Sequence, residues 1–184
     1  MSAAPQLYTY EDLRSMPEDG MRREIIGGDL LVNPAPRFEH QIVLANIHER
    51  LASHLAARGD FRVFESPIDV YVSRHDVVQP DLIVIAQAAV PRFRSEGIVD
   101  EPPVLVVEVT SPGTARTDRR EKLALYGAFG VLEYWIVDPA SRTVALYATS
   151  SHRRALALVE TAGHVHSRVF SDFAMPSEEV FRDL

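Results

Sequence analysis

Val104-Leu105-Val106-Val107-Glu108-Val109-Thr110 is a run of aliphatic and β-branched residues with one acid inside it, introduced by Pro102-Pro103 and closed by Ser111-Pro112-Gly113. A short apolar run between turn residues predicts a single buried strand. Strand side chains alternate, so Val106, Glu108 and Thr110 share one face while Val107 and Val109 take the other. An ionised carboxylate in such a place costs several kcal/mol unless it is paired, hydrogen-bonded or bound to a cation. The arrangement recurs upstream, where Val77-Val78-Gln79-Pro80-Asp81 leads into Leu82-Ile83-Val84-Ile85 and a strand is predicted from Val77 to Ala86. Two acids on neighbouring apolar strands point to a shared ion. Mg2+ takes oxygen ligands and keeps several waters, so one or two carboxylates suffice for it. The alternative is that either acid pairs with a buried arginine or accepts backbone hydrogen bonds.

Downstream of this strand, Ser111 to Arg116 reads as a loop and Asp118 to Phe129 as a helix closed by Gly130. Asp118, Lys122, Tyr126 and Phe129 fall along one side of that helix. Lys122 is the only lysine beside eighteen arginines. Lysine is a compact, mobile ammonium whose pKa responds to its surroundings, so its placement here carries chemical meaning. A coding bias toward arginine and a solvated Asp–Lys pair are the plainer explanation. Arg116, Arg119 and Arg120 make the same segment the densest basic patch, suited to phosphate or to water. Val131 to Val137 is a further buried strand, ended at Asp138-Pro139-Ala140-Ser141.

Upstream, Thr9 and Asp12 form a capping box for a short helix through Met16. Arg22 to Ile26 and Asp29 to Val32 read as a hairpin about Gly27-Gly28. From Phe38 to Arg58, Ile42, Ala45, Leu51 and Leu55 recur at roughly helical spacing. Phe61 to Phe64 and Ile68 to Val72 are strands, and Gln87 to Glu101 is irregular. Thr143 to Thr149, Ala155 to Val159 and His164 to Val169 form a peripheral meander with His164 and His166 facing solvent. A helical turn from Pro176 to Phe181 follows, capped by Ser177. The pattern is α/β or α+β, with a mixed sheet and one domain over residues 1–184, of which 1–8 read as a loose tail.

The 184 residues are 46% hydrophobic, enough for one core. There is no cysteine, which excludes disulfides and thiolate metal sites. No basic leader and no long apolar stretch is present, so a cytoplasmic protein is expected. The formal charge of −7 argues against tight binding of nucleic acid without sequence preference.

Several blocks carry a resemblance. They are Arg23-Glu24-Ile25-Ile26-Gly27-Gly28-Asp29-Leu30, Pro34-Ala35-Pro36 with His40-Gln41, Gln79-Pro80-Asp81, Val106 to Pro112, Asp118 with Lys122 and Tyr126, and Gly130 to Pro139. In this order they resemble the Uma-type restriction endonucleases of the PD-(D/E)xK superfamily. The likeness runs from Tyr10 to the C-terminus and is most specific from Gln79 to Pro139. It implies a restriction-endonuclease-like core, a mixed central sheet flanked by helices. It also implies a Mg2+-dependent nuclease acting on DNA, with Mn2+ as a substitute ion. Asp81 and Glu108 would be the metal ligands and the Val109 carbonyl a third. The superfamily lysine two residues after the glutamate is Thr110 here, and the resemblance moves its role to Lys122. Glu24 matches the family's early acid, as a further metal or water ligand or as the partner of Arg22 at a sheet edge. His40 reads as a capping or surface histidine, and Tyr134 and Trp135 as core. Cutting two strands implies a homodimer. A non-catalytic binding or assembly module on the same fold is the rival function, favoured by the acidic charge and the displaced lysine.

Overall fold

The computed structural model describes residues 7–149, 156–159 and 163–184. A short helix α1 (Tyr10–Arg14) opens the described chain, with the Thr9–Asp12 capping box in place. Most of the expected N-terminal tail lies outside the described residues, but Tyr8 is tied down through its N–H to the Gly28 carbonyl at 2.8 Å. β1 (Arg22–Ile26) and β2 (Asp29–Asn33) form the expected hairpin. Its two-residue turn needs positive φ at both positions, and Gly27 (59°) and Gly28 (84°) supply it. After α2 (Phe38–Ala56) come β3 (Phe61–Glu65), β4 (Val70–Ser73), β5 (Asp76–Val78) and β6 (Leu82–Ala86).

The single strand expected from Val77 to Ala86 is therefore two strands. Pro80 has no N–H to give a ladder, so pairing breaks there. β5 joins a four-stranded sheet of order β2-β1-β5-β4, while β6 enters the central sheet. This break leaves Asp81 at the joint between two sheets.

Gln87 to Glu101, expected to be irregular, holds a 3₁₀ turn (Gln87–Ala89) and a helix α3 (Val90–Glu96). Pro91 sits in the first helical turn, where no intrahelical N–H is required. β7 (Leu105–Val109) is followed by α4 (Ala115–Thr117), a π-helical turn (Asp118–Lys122), α5 (Leu123–Phe129) and β8 (Glu133–Asp138). β7 and β8 run parallel, and this helical segment is the crossover such a pair needs. β9 (Thr143–Thr149) and β10 (Leu156–Val159) complete a six-stranded sheet of order β10-β9-β8-β7-β6-β3, its other pairs antiparallel. The sheet is mixed and flanked by helices, as expected.

The meander is only partly as read. β9 and β10 extend the central sheet, whereas β11 (His164–His166) pairs with β12 (Ala174–Pro176). Ala155 lies outside the described residues. His164 and His166 are exposed, as expected. The last helix α6 (Ser177–Val180) has Pro176 as its cap and no side-chain capping bond, so Ser177 is not the cap.

Alternation along the strands divides the core in two. Leu82, Val84, Leu105, Val107, Val109, Trp135 and Val137 pack against α2. Ile83, Ile85, Val106, Tyr134 and Ile136 pack with Tyr126 and Val131 on the other face. Each fully buried aliphatic or aromatic side chain contributes about 1.5–3 kcal/mol. On α2 the buried stripe is His40, Val43, Leu44, Ile47, Leu51 and Leu55, so the phase read from Ile42 and Ala45 is shifted. Glu133 shows how a buried strand acid is satisfied without an ion. It is fully buried and accepts from Trp135 Nε1 (2.5 Å), Ser167 Oγ (2.9 Å) and the N–H groups of Arg168 (2.8 Å) and Val169 (2.9 Å).

Candidate active site

Glu108 is the fourth residue of β7 and alternation turns it toward α5, away from Val107 and Val109. Its Oε1 accepts from Lys122 Nζ at 2.8 Å and from the Tyr126 hydroxyl at 2.9 Å. Lys122 also contacts Glu24 Oε1 at 2.9 Å and Asp118 Oδ1 at 3.8 Å. Asp118 and Lys122 both lie on the π turn, a widened helical geometry that often marks a functional position. The solvated Asp–Lys pair is thereby replaced by a buried network: Glu24, Asp81, Glu108, Asp118 and Lys122 are all at most 3% exposed.

Asp81 reaches the same place from the joint between β5 and β6. Its Oδ2 accepts from the Val109 N–H at 2.8 Å and lies 3.0 Å from His40 Nε2. Its Oδ1 accepts from Arg22 Nη1 at 2.6 Å. The other guanidinium nitrogen donates to the Gln79 carbonyl and stands 3.9 Å from Glu108 Oε2. One arginine head thus faces both acids expected to share an ion. Among the described residues, no set of three His, Asp or Glu side chains is already arranged around one metal position.

These groups floor a cavity of about 630 Å3, lined by Arg22, His40, Asp81, Glu108, Asp118 and Lys122 among others. Val109 and Thr110 also line it, Val109 using its N–H on Asp81. Glu24 does not reach the cavity; it sits behind Lys122, with its oxygens on Lys122, the Gln79 N–H (2.7 Å) and Asn33 Nδ2 (2.6 Å). The sheet-edge Arg22–Glu24 ion pair does not form: β1 is an interior strand and Arg22 turns to Asp81. Arg116, Arg119 and Arg120 are exposed and lie outside the cavity lining, and Arg119 pairs with Asp138 at 3.2 Å.

Burial, reinforced by neighbouring carboxylates, raises Glu108 and Asp118 above the usual carboxylate range. Burial, with Asp81, Asp118 and Glu24 nearby, pushes Glu108 up to about 8 despite Lys122. Burial raises Asp118 to about 6 against the pull of Lys122 and Thr114. Lys122 resists the opposing effect of its own burial and is raised by Glu108, Glu24 and Asp118. Asp81 is the exception: burial opposes its charge, but His40 and Arg22 hold it well below the usual carboxylate range.

A pH dependence follows. Glu108 and Asp118 bind protons more tightly folded than unfolded, where their reference values are 4.5 and 3.8. Below those values they cost nothing, and stability is lost as pH rises toward about 6 for Asp118 and about 8 for Glu108. Asp81 acts in the opposite sense, but its contribution is complete above its unfolded value of 3.8. Thermal melts in chelator should therefore show Tm falling between pH 5 and pH 8, by on the order of a few kcal/mol of stability. A Tm that is flat or rising across that window would show that these two carboxyls are not raised in the folded protein.

Two participants escape a sequence reading. The sequence suggests a capping or surface role for His40, yet it is buried against Asp81. Its signal was its spacing of three, four and seven residues from Val43, Leu44 and Ile47, which places it on the buried stripe of α2. Arg22 gave no comparable signal, because nothing local indicates that an arginine at a strand start will cross to another sheet.

The sequence model of the Uma2 family, described as "Putative restriction endonuclease", matches residues 10–176. The chain belongs to the Uma2 family. No curated protein matches it. Among solved structures, a protein of Anabaena variabilis ATCC 29413 titled "putative nuclease belonging to DUF820" has the same fold. It is 20% identical, with a TM-score of 0.79 over 94% of this chain and 97% of that one. The match of this Uma2 chain to that structure is one of fold. Among the described residues no helix is long and apolar enough to cross a membrane.

Proposed function

We propose that this Uma2 protein is a Mg2+-dependent endodeoxyribonuclease, with Mn2+ able to replace Mg2+. The observation that carries this reading is the charge imbalance in the buried cluster at and behind the cavity floor. With all four ionised, Glu24, Asp81, Glu108 and Asp118 exceed Lys122 and Arg22 by two negative charges, the amount one divalent ion supplies. The donor set fits such an ion: Asp81 Oδ1 and Glu108 Oε2 are hard oxygens already facing one cationic head. Asp81 and Glu108 would hold the metal with the Val109 carbonyl, and when bound it supplies Lewis-acid polarisation of a phosphoryl oxygen.

The remaining work falls to the chain's own groups. Lys122 stays charged and offsets negative charge that develops at the phosphate. Glu24 and Glu108 hold its ammonium from two sides, so Glu24 serves the chemistry through Lys122. His40 and the Val109 N–H fix the Asp81 carboxylate. The same reading carries a homodimer, since one cavity per chain must serve two DNA strands. Supercoiled plasmid incubated with Mg2+ or Mn2+ should be nicked by the wild type and left intact by Asp81→Ala. Nicking that persists in the variant would remove the assignment.

The Arg22–Asp81 ion pair favours a second reading, a non-catalytic binding or assembly module. In it, guanidinium and ammonium satisfy the acids without a metal. Calorimetric titration with Mn2+ separates the two, because the module binds none.

A further inference from the structure

We propose that Arg22 holds the position of the divalent cation until that cation arrives, and then serves as a ligand for the substrate phosphate. The inference rests on the metal-dependent reading above and adds a residue to it.

Arg22 donates to Asp81 Oδ1 at 2.6 Å and stands 3.9 Å from Glu108 Oε2. These are the two oxygens left over: Asp81 Oδ2 is taken by His40 and Val109, and Glu108 Oε1 by Lys122 and Tyr126. A cation that binds both acids through their remaining oxygens must displace the guanidinium. The arginine is held through its two terminal nitrogens alone, one on Asp81 and one on the Gln79 carbonyl. Its Nε is buried without a hydrogen-bond partner, so this pose leaves a donor unmet. Its side chain is 21% exposed, against 3% for the carboxylates it touches, and it lines the cavity. Once displaced it presents a planar fork of N–H donors at the cavity floor. That geometry suits bidentate binding of a phosphate, which an ammonium cannot provide.

Competition lowers apparent metal affinity by the fraction of molecules in which the carboxylates are free. Arg22→Gln should then bind Mn2+ about tenfold or more tightly than wild type by calorimetry. Millimolar methylguanidine should weaken binding to the variant and leave the wild type little changed. Arg37→Gln, which removes an exposed cavity-lining charge that touches neither acid, separates competition from simple repulsion; it should shift Mn2+ affinity by less than about threefold. At saturating Mn2+, Arg22→Gln should raise KM for DNA about tenfold, with a smaller change in kcat. If Arg22→Gln does not fold, Arg22→Lys keeps a charge but loses the fork, and should shift both quantities in the same directions.

Mn2+ binding of equal or lower strength in the variants overturns the competition, as does an unchanged KM the hand-over to phosphate. Either result leaves the metal-dependent reading standing. Absence of Mn2+ binding in wild type and in the Arg22 variants overturns both readings together.

Discussion

Replacing Lys122 by methionine is expected to destabilise the protein by about 3–5 kcal/mol. The ammonium is 3% exposed and touches Glu108 at 2.8 Å, Glu24 at 2.9 Å and Asp118 at 3.8 Å. Methionine has a similar length and apolar volume, so packing is largely kept while the charge is lost. Three buried carboxylates then face one another with only the Arg22 guanidinium left nearby. Removing one partner of a buried ion pair strands the other, and that penalty exceeds the net worth of the pair. Urea denaturation in chelator at pH 7.5 measures it as a lower midpoint at unchanged slope. A loss under about 1 kcal/mol would mean that Lys122 does not compensate this charge.

Glu108→Gln is expected to act in the opposite direction on stability while removing activity. The carboxyl is pushed up to about 8 in the folded protein, so its ionised form is a burden at alkaline pH when no cation is bound. Glutamine keeps an oxygen to accept from Lys122 and Tyr126 and reduces the charge excess from two to one. A gain of about 1–2 kcal/mol at pH 8 in chelator is expected, the size typical when a strained functional site is relieved. Plasmid cleavage should meanwhile fall about a thousandfold, since a metal's electrostatic contribution is several kcal/mol and each 1.36 kcal/mol is tenfold. The two partners of one ion pair would thus shift stability with opposite signs. A purely structural salt bridge would lose stability from either side.

The residues by themselves determined a good deal. Alternation in Val104–Thr110 placed Glu108 opposite Val107 and Val109, because the two-residue period of a strand is a local property. Gly27-Gly28 marked the first hairpin, since its turn demands a backbone that glycine adopts freely. The four-residue spacing of Asp118, Lys122 and Tyr126 aligned them on one side of a helix, and all three are buried there. Scarcity of lysine singled out Lys122, which contacts three carboxylates. What tertiary structure alone decided was which groups neutralise one another. Gln79-Pro80 splits a run that reads as continuous, and only the pairing of each half with a different sheet brings Asp81 to Glu108. Arg22 lies 59 residues from Asp81, and His40 lies 41 residues from it. No periodicity spans such distances, because these partnerships follow from sheet order and helix phase, which the chain acquires only on folding.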